Sequence, residues 1–549
     1  MGQQRSEERP VKQAKTMPGG CHPTTVVSAP GKVMVAGGYV VLERPNAALV
    51  AAVSARVYCV VTSTDVTPGE AGVKVRVESP QLEESRSFVV SAGGAEEVSI
   101  KRADEMSRNP YIETTIVNTL ALISHLRGAE ALRDTVIEVR GDNAFYALHD
   151  AADGAEVPRF AKISRNTGEG KRAADVPRFA KISRNIGEGK HAADVPKTGL
   201  GSSAALVTSL VASLLAHFHV ATLPSAADAV EDGGEEKGGE GAGFTPFSGG
   251  TALTLVHNLA QYCHCAAQGK IGSGFDVASA VYGSIRYVRF SPKLLDGQTH
   301  EGSVAGAKLA GVVVPTDSKD QADFDHEIST WGLPPGLELL VGDVRGGGSS
   351  TPSMVAAINR FRKEHPDAAA PIWDKIIALN NAAATTMAKL TLRADASDYA
   401  GALDLLAAGG QASAVADPAG VAEGGSTQEL FESLRSTMAT ARSDAEPGGG
   451  GRRAARASFH ATLRAAMRSL GEAAGVPLEP PAQGQGAMRS LGEAAGVPLE
   501  PPAQTRLLDY TSTLPGVIAG GVPGAGGFDA IFAVAKEGSG AAVGKAWAG

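Results

Sequence analysis

The sequence predicts an α+β protein of two domains, and three observations carry the prediction. Val-rich runs broken by glycine fill residues 25–62, apolar residues further on recur at helical spacing, and the composition shifts near 295–306. In TTVVSAPGKVMVAGGYVVLE and AALVAAVSARVYCVVTS, the alternation of β-branched residues predicts strands over 25–29, 33–36 and 48–62. Residues 72–78 and 86–91 predict a hairpin, and 134–140 a further strand. Asn109 before Pro110 has the chemistry of an N-cap and a first helical residue, so a helix is expected over 110–127. Helices are also expected over 202–218, 249–268, 353–364, 371–391, 396–407 and 426–440, with strands over 283–290, 308–314, 337–341 and 528–534. This divides the chain into 25–300 and 301–549, after a polar tail over 1–24. The Gly/Glu-rich stretch 231–243 and the Gly/Arg-rich stretch 443–456 read as loops.

The 549 residues carry a net charge of −8, which argues against a nucleic-acid partner bound through a broad basic surface. A local Lys/Arg cluster can still hold a small anion. Four cysteines are too few for a disulfide framework and fit a reducing compartment. No apolar run is long enough to span a membrane, and the polar first 24 residues do not read as a secretory leader.

Two duplications interrupt the pattern. VPRFAKISRNTGEGKRAAD at 157–175 recurs at 176–194 with two substitutions, and AMRSLGEAAGVPLEPPAQ at 466–483 recurs unchanged at 487–504. Two copies do not make a solenoid, which needs at least about three stacked units. Both are expected to be loop insertions, within 157–194 and 443–504.

Glycine, at 67 residues, exceeds the usual ~7% share, and the excess gathers in clusters that could carry chemistry. These are Pro30-Gly31-Lys32 with Gly37-Gly38-Tyr39, Lys197-Thr198-Gly199-Leu200-Gly201-Ser202-Ser203-Ala204, Gly269-Lys270-Ile271-Gly272-Ser273-Gly274-Phe275-Asp276, and Gly521 to Asp529. The second leads directly into a helix. Glycines there permit close backbone approach, and a helix N-terminus offers free N–H groups to an anion. It reads equally as a phosphate cradle or as a Ser-capped helix after a tight turn. Gly199, Gly201 and Ala204 also match a dinucleotide fingerprint, but AHFHVATL over 216–223 lacks the acidic residue that fingerprint requires. Cys263-His264-Cys265 with His257 suggests zinc, yet the spacing is wrong and the residues fall within an expected helix.

Taken together, the clusters resemble the motifs of the GHMP kinase family. KTGLGSSAALVTSL resembles the central motif, APGKVMVAGGYVVLE the first and GGVPGAGGFDAIF the third, in the family's order. HNLAQYCHCAAQGKIGSGFDVASAVYGSIRYVRF, GDVRGGGSSTPSMV and AGGYVVLE look like its phosphomevalonate-kinase branch rather than the mevalonate or galactose kinases. The resemblance implies an N-terminal domain like ribosomal protein S5 domain 2, a C-terminal ferredoxin-like domain, and ATP in the cleft between them. It implies phosphoryl transfer from ATP to 5-phosphomevalonate, both small molecules, with Mg2+ accompanying the nucleotide. Carried over by motif, Gly199, Leu200, Gly201, Ser202, Ser203 and Ala204 would wrap the ATP phosphates, with Ser203 towards the metal. Asp276 and Lys32 would be catalytic, and Lys197, Tyr39, Ser273 and Arg286 would contact substrate. Some relatives hold magnesium with a glutamate on the helix before the aspartate loop, whereas 244–275 contains no acidic residue. A mevalonate kinase or an impaired, binding-only member are the rival readings. Neither a nucleic acid nor a membrane is implied as a partner. Cytoplasmic location is expected, with the peroxisome open, since the final AWAG is no SKL signal.

Overall fold

A computed structural model of the chain describes residues 23–66, 72–92, 97–146, 160–163, 197–224, 249–296, 303–315, 324–343, 351–407, 426–442, 487–524, 526–527 and 530–548. The expected loop at 231–243, the first copy of the second duplication and Asp529 lie outside them.

The first sheet gathers strands β1 (Thr25–Ala36), β2 (Ala47–Thr64), β3 (Val73–Ser79), β4 (Glu84–Ala92), β5 (Glu97–Arg102), β6 (Asp134–Gly141), β8 (Ile285–Val288), β9 (Ser303–Ala305) and β10 (Glu327–Thr330). Their order is β10-β8-β2-β6-β3-β4-β5-β9, with β1 on β2. The two strands expected over 25–29 and 33–36 are one, running antiparallel to β2 with a register shift between Pro30 and Lys32. Proline cannot donate to the ladder, and the shift turns the Lys32 amide away from the sheet.

Helices α1 (Pro110–Arg127), α2 (Ser202–His217), α3 (Gly249–Gln268), α4 (Phe275–Tyr282) and α5 (Gly306–Val313) belong with this sheet. Asn109 caps α1 as expected: its side chain accepts from the Ile112 amide at 3.3 Å, and Glu113 accepts from the Asn109 amide at 3.0 Å. Ile116, Leu120 and Ile123 of α1 pack with Leu210 and Leu214 of α2 and Leu255 and Leu259 of α3 in one core. The strand expected over 308–314 is instead helix α5. Leu309 and Val313, one turn apart, bury the same face, and Gly306 brings the helix so near α1 that a Cβ would lie 2.6 Å from the Ala121 carbonyl. Periodicity over the six apolar residues 309–314 does not separate the two readings.

A second, four-stranded sheet has the order β12-β13-β11-β7, from β7 (Phe160–Ile163), β11 (Leu337–Asp343), β12 (Val517–Gly521) and β13 (Ala530–Lys536). Both its faces are covered, and the period of two shows in the packing. Leu337, Leu339, Val341, Phe532 and Val534 face β1 and β2 of the first sheet together with α7 (Pro366–Leu392) and α9 (Thr427–Arg442), while α6 (Thr351–Glu364) and α8 (Tyr399–Ala407) extend this helical layer. Leu340, Ile531, Ala533 and Ala535 pack the other way, with Leu508 of α11 (Pro502–Thr511) and Trp547 of α12 (Gly540–Ala548). The sheets do not divide where the composition shifts: β9 and β10 of the first sheet lie beyond residue 300, and β7 of the second comes from the duplicated stretch.

The loop reading of the second duplication is corrected. Its second copy opens with helix α10 (Ala487–Ala494), whose Ala487 and Leu491 are buried with Tyr39, Met354, Ile358 and Trp373. Glu500, 2% exposed at its side chain, pairs with Arg442 at 3.1 Å and Arg489 at 2.6 Å. The first duplication also gives structure, since Phe160–Ile163 forms the edge strand on β11.

Candidate active site

The Lys197–Ala204 cluster lies over β1. Thr198 anchors its start, with its amide donating to the Phe145 carbonyl at 3.2 Å and its hydroxyl to the Ala144 carbonyl at 2.6 Å. The Lys32 amide, freed by the register shift, donates to the Leu200 carbonyl at 2.8 Å, and the Lys32 ammonium to the Gly199 carbonyl at 3.0 Å. Gly201, at φ 78°, precedes α2 in left-handed conformation, and no side chain caps that helix. A Cβ there would sit 3.0 Å from Lys32 Cε, so the glycine answers both conformation and space. Ser202 and Ser203 open α2 and border a cleft of about 290 Å3, lined also by Gln81, Arg86, Arg108, Tyr111 and Lys197. Free helix N–H groups facing such a cleft favour an anion.

Asp276 stands in the first turn of α4, its Oδ1 accepting the Val277 amide at 3.0 Å. Gly274 before it has φ 86°, and a Cβ would lie 2.6 Å from the Tyr287 hydroxyl. That hydroxyl donates to the Ser273 carbonyl at 2.9 Å. Arg289 ties the same loop down, donating to the Gly272 carbonyl at 2.8 Å and the Leu42 carbonyl at 2.8 Å. The Lys32 ammonium lies 5.5 Å from the centre of the Phe275 ring, beside Asp276 in the chain. Between the two loops is His264 of α3, 3.1 Å from Ser203 Oγ and 4.0 Å from Asp276 Oδ2. Burial holds its imidazole below the ordinary value, with the Asp276 carboxylate opposing.

No family model matches the chain. A peroxisomal phosphomevalonate kinase of Arabidopsis thaliana is 34% identical over 546 residues, spanning 95% of this chain and 92% of that one. The chain belongs to the phosphomevalonate kinase family. A phosphomevalonate kinase of Gibberella zeae is 29% identical over 524 residues, covering 94% of this chain and 88% of that one. Among solved structures, the Lin0012 protein of Listeria innocua superposes with a TM-score of 0.52 at 16% identity, over 96% of this chain and 94% of that one. The fold is α+β, as expected, and the Lin0012 protein shares it.

In this phosphomevalonate kinase family member the other expected contacts are distributed unevenly. Tyr39 is 2% exposed, with its ring among Met354, Phe361 and Trp373, and burial pushes its phenol up. Arg286 lies in β8 opposite Leu49 of β2 and Ser329 of β10, and the guanidinium that reaches the Gly272 carbonyl is that of Arg289. Lys197 is exposed at the mouth of the cleft, paired through its backbone with Tyr146. At the end of β1 a smaller cavity of about 100 Å3 is bordered by Gly37, Gly38, Asn380, Arg442, Glu500 and Gly521, so the first and third motifs share it. Sequence reasoning weighed His264 only as a zinc ligand and passed over Arg289. The signal for His264 was its helical spacing: Gln261, His264 and Gln268 fall on one face of α3, turned towards the two glycine loops.

Proposed function

We propose that this chain transfers the γ-phosphoryl group of ATP to the phosphate of 5-phosphomevalonate, giving ADP and 5-diphosphomevalonate in the mevalonate pathway to isoprenoids. The observation that carries the reading is the 34% identity over 95% of the chain to a phosphomevalonate kinase. Residues 199–204 would receive the ATP phosphates on the free N–H groups of α2, and Lys197 and Arg108 at the cleft supply positive charge. Lys32, its stem held against Gly201, would place its ammonium where two phosphate groups meet. Phosphoryl transfer needs chiefly positioning and charge neutralisation, and this arrangement offers both.

The acceptor shapes the role of Asp276. The second pKa of a phosphomonoester is about 6, so near neutrality the acceptor is already the nucleophilic dianion and leaves a base little to remove. Asp276 therefore serves to orient Lys32 and the acceptor phosphate, with Ser273 beside it on the same loop. Among the described residues no group of three or more His, Cys, Asp and Glu gathers to hold a metal. Magnesium does not require one, because it keeps waters and binds through substrate phosphates with few protein oxygens. The donors present fit that pattern: Ser203 would hold the ion with the nucleotide, and when bound it supplies neutralisation of the phosphate oxygens.

Among the described residues no helix is long and apolar enough to cross a membrane. The Arabidopsis relative is named as peroxisomal, and we place this chain in the cytoplasm or the peroxisome. The test is a coupled ADP-release assay with Mg2+ and ATP. Phosphomevalonate should be turned over and mevalonate much less; the reverse preference would overturn the assignment.

A further inference from the structure

His264 is 3% exposed, within the core of the site, and no part of the reaction described above uses it. Its Nε2 lies 3.1 Å from Ser203 Oγ and 3.1 Å from the Gln268 side-chain nitrogen. With the Gln268 amide nitrogen turned to the ring, as placed here, it donates and the imidazole nitrogen accepts. With that assignment the ring is neutral with its proton on Nδ1, and the Ser203 hydroxyl, 3.1 Å from the same nitrogen, is placed to donate to it, while Asp276 Oδ2 stands farther off at 4.0 Å. Tyr111 packs against the ring at 5.8 Å between centroids and limits its rotation. A serine oxygen with its proton fixed on one side presents its lone pairs on the other. It is thereby set up as a ligand for a cation and not as a donor to a phosphate.

We propose that His264 is a positioning residue that takes the Ser203 hydroxyl proton and so aims the serine oxygen at the magnesium of the bound nucleotide. The proposal rests on the reading of 199–204 as the nucleotide loop. It gives α3, which carries no acidic residue, a neutral part in the metal site: it orients a ligand without adding charge. Outer partners of metal ligands act in this way, and their loss typically costs about 10–100-fold in metal affinity.

The experiment is calorimetric titration of the full chain with ADP, in EDTA and in saturating Mg2+. His264→Leu should leave metal-free ADP affinity unchanged and lose about tenfold or more of the gain that Mg2+ confers. His264→Gln, whose amide oxygen can accept the same proton, should restore much of it. His264→Leu combined with Ser203→Ala should be no worse than Ser203→Ala alone, because both remove one interaction. An unchanged Mg2+ gain in His264→Leu overturns the proposal, as does an equal loss with and without metal. Failure of the unaltered chain to bind ADP at all would instead overturn the nucleotide-loop reading. Should the leucine variant not fold, 15N-histidine spectra of the unaltered chain decide, with His264→Gln for assignment. The Nδ1–H tautomer is expected, and an Nε2–H tautomer overturns the proposal.

Discussion

Lys32 shows how much one residue can gather. Its amide holds the Leu200 carbonyl, its ammonium the Gly199 carbonyl, and its stem fills the space a side chain at position 201 would need. Gly201→Val should therefore fail twice, through a left-handed φ that a β-branched residue resists and through collision with Lys32. We expect turnover to fall by about 100-fold or more, the scale of misplacing reacting groups by about an ångström, with a modest drop in melting temperature. Steady-state kinetics and a melt on the same sample separate the two effects. Lys32→Met should be at least as damaging as Asp276→Asn, and the residual rate of Asp276→Asn should rise from about pH 6 to 7 with the titration of the acceptor. A pH-independent residual rate, or a far larger defect in Asp276→Asn, would restore a general-base role. Gly199, Gly201, Gly269 and Gly274 were legible in the sequence because each takes a left-handed φ that favours glycine. His264 and Arg289 were not, because their roles depend on partners distant in the chain, Ser203 and Leu42 among them.

At the scale of the element, α10 and the turn that follows it are the surprise. A stretch duplicated without change reads as filler, yet Leu491 and Leu499 are fully buried and Glu500 sits between Arg442 and Arg489. Glu500→Ala removes the buried one of two carboxylates shared by Arg442 and Arg489, leaving them Asp509 at 2.6 and 2.9 Å, and we expect it to destabilise by about 1.5–3 kcal/mol, measured by denaturant titration. The helix over 110–127 is legible to the residue because its Asn109 cap, Pro110 and long periodic run agree. Strand β1 was split by Pro30 and α5 was taken for a strand, since a proline in a bulged strand and a short apolar run each fit two local structures.

Across the whole molecule, a single core joins the two sheets: Val33 and Leu49 of the first meet Leu339 and Phe532 of the second. Thermal unfolding should consequently be one transition, and Phe532→Ala should lower it as a unit by about 3–5 kcal/mol; two separated calorimetric peaks would contradict this. Elsewhere the His257 and His326 rings lie 4.2 Å apart between centres, tilted by 44°, with His257 Nε2 and His326 Nδ1 lacking hydrogen-bond partners among the described residues. Burial pushes His257 well below its ordinary value, and takes His326 down to about 4, against the pull of Asp325. Between about pH 6.5 and 4 the unfolded chain binds more protons at these positions than the folded one, so stability should fall with acid in that window. Melting temperature against pH should show the slope, and His326→Leu should flatten it. The duplications leave the molecule with an unusual form of insurance. The strand Phe160–Ile163 and the packed segment 487–504 each have a second copy of the same letters in the chain, at 179–182 and 466–483. A substitution that spoils either described stretch leaves the same letters unaltered elsewhere on the polypeptide, and if those letters can take its place, single mutations scanned across the stretches should be better tolerated than burial alone would allow.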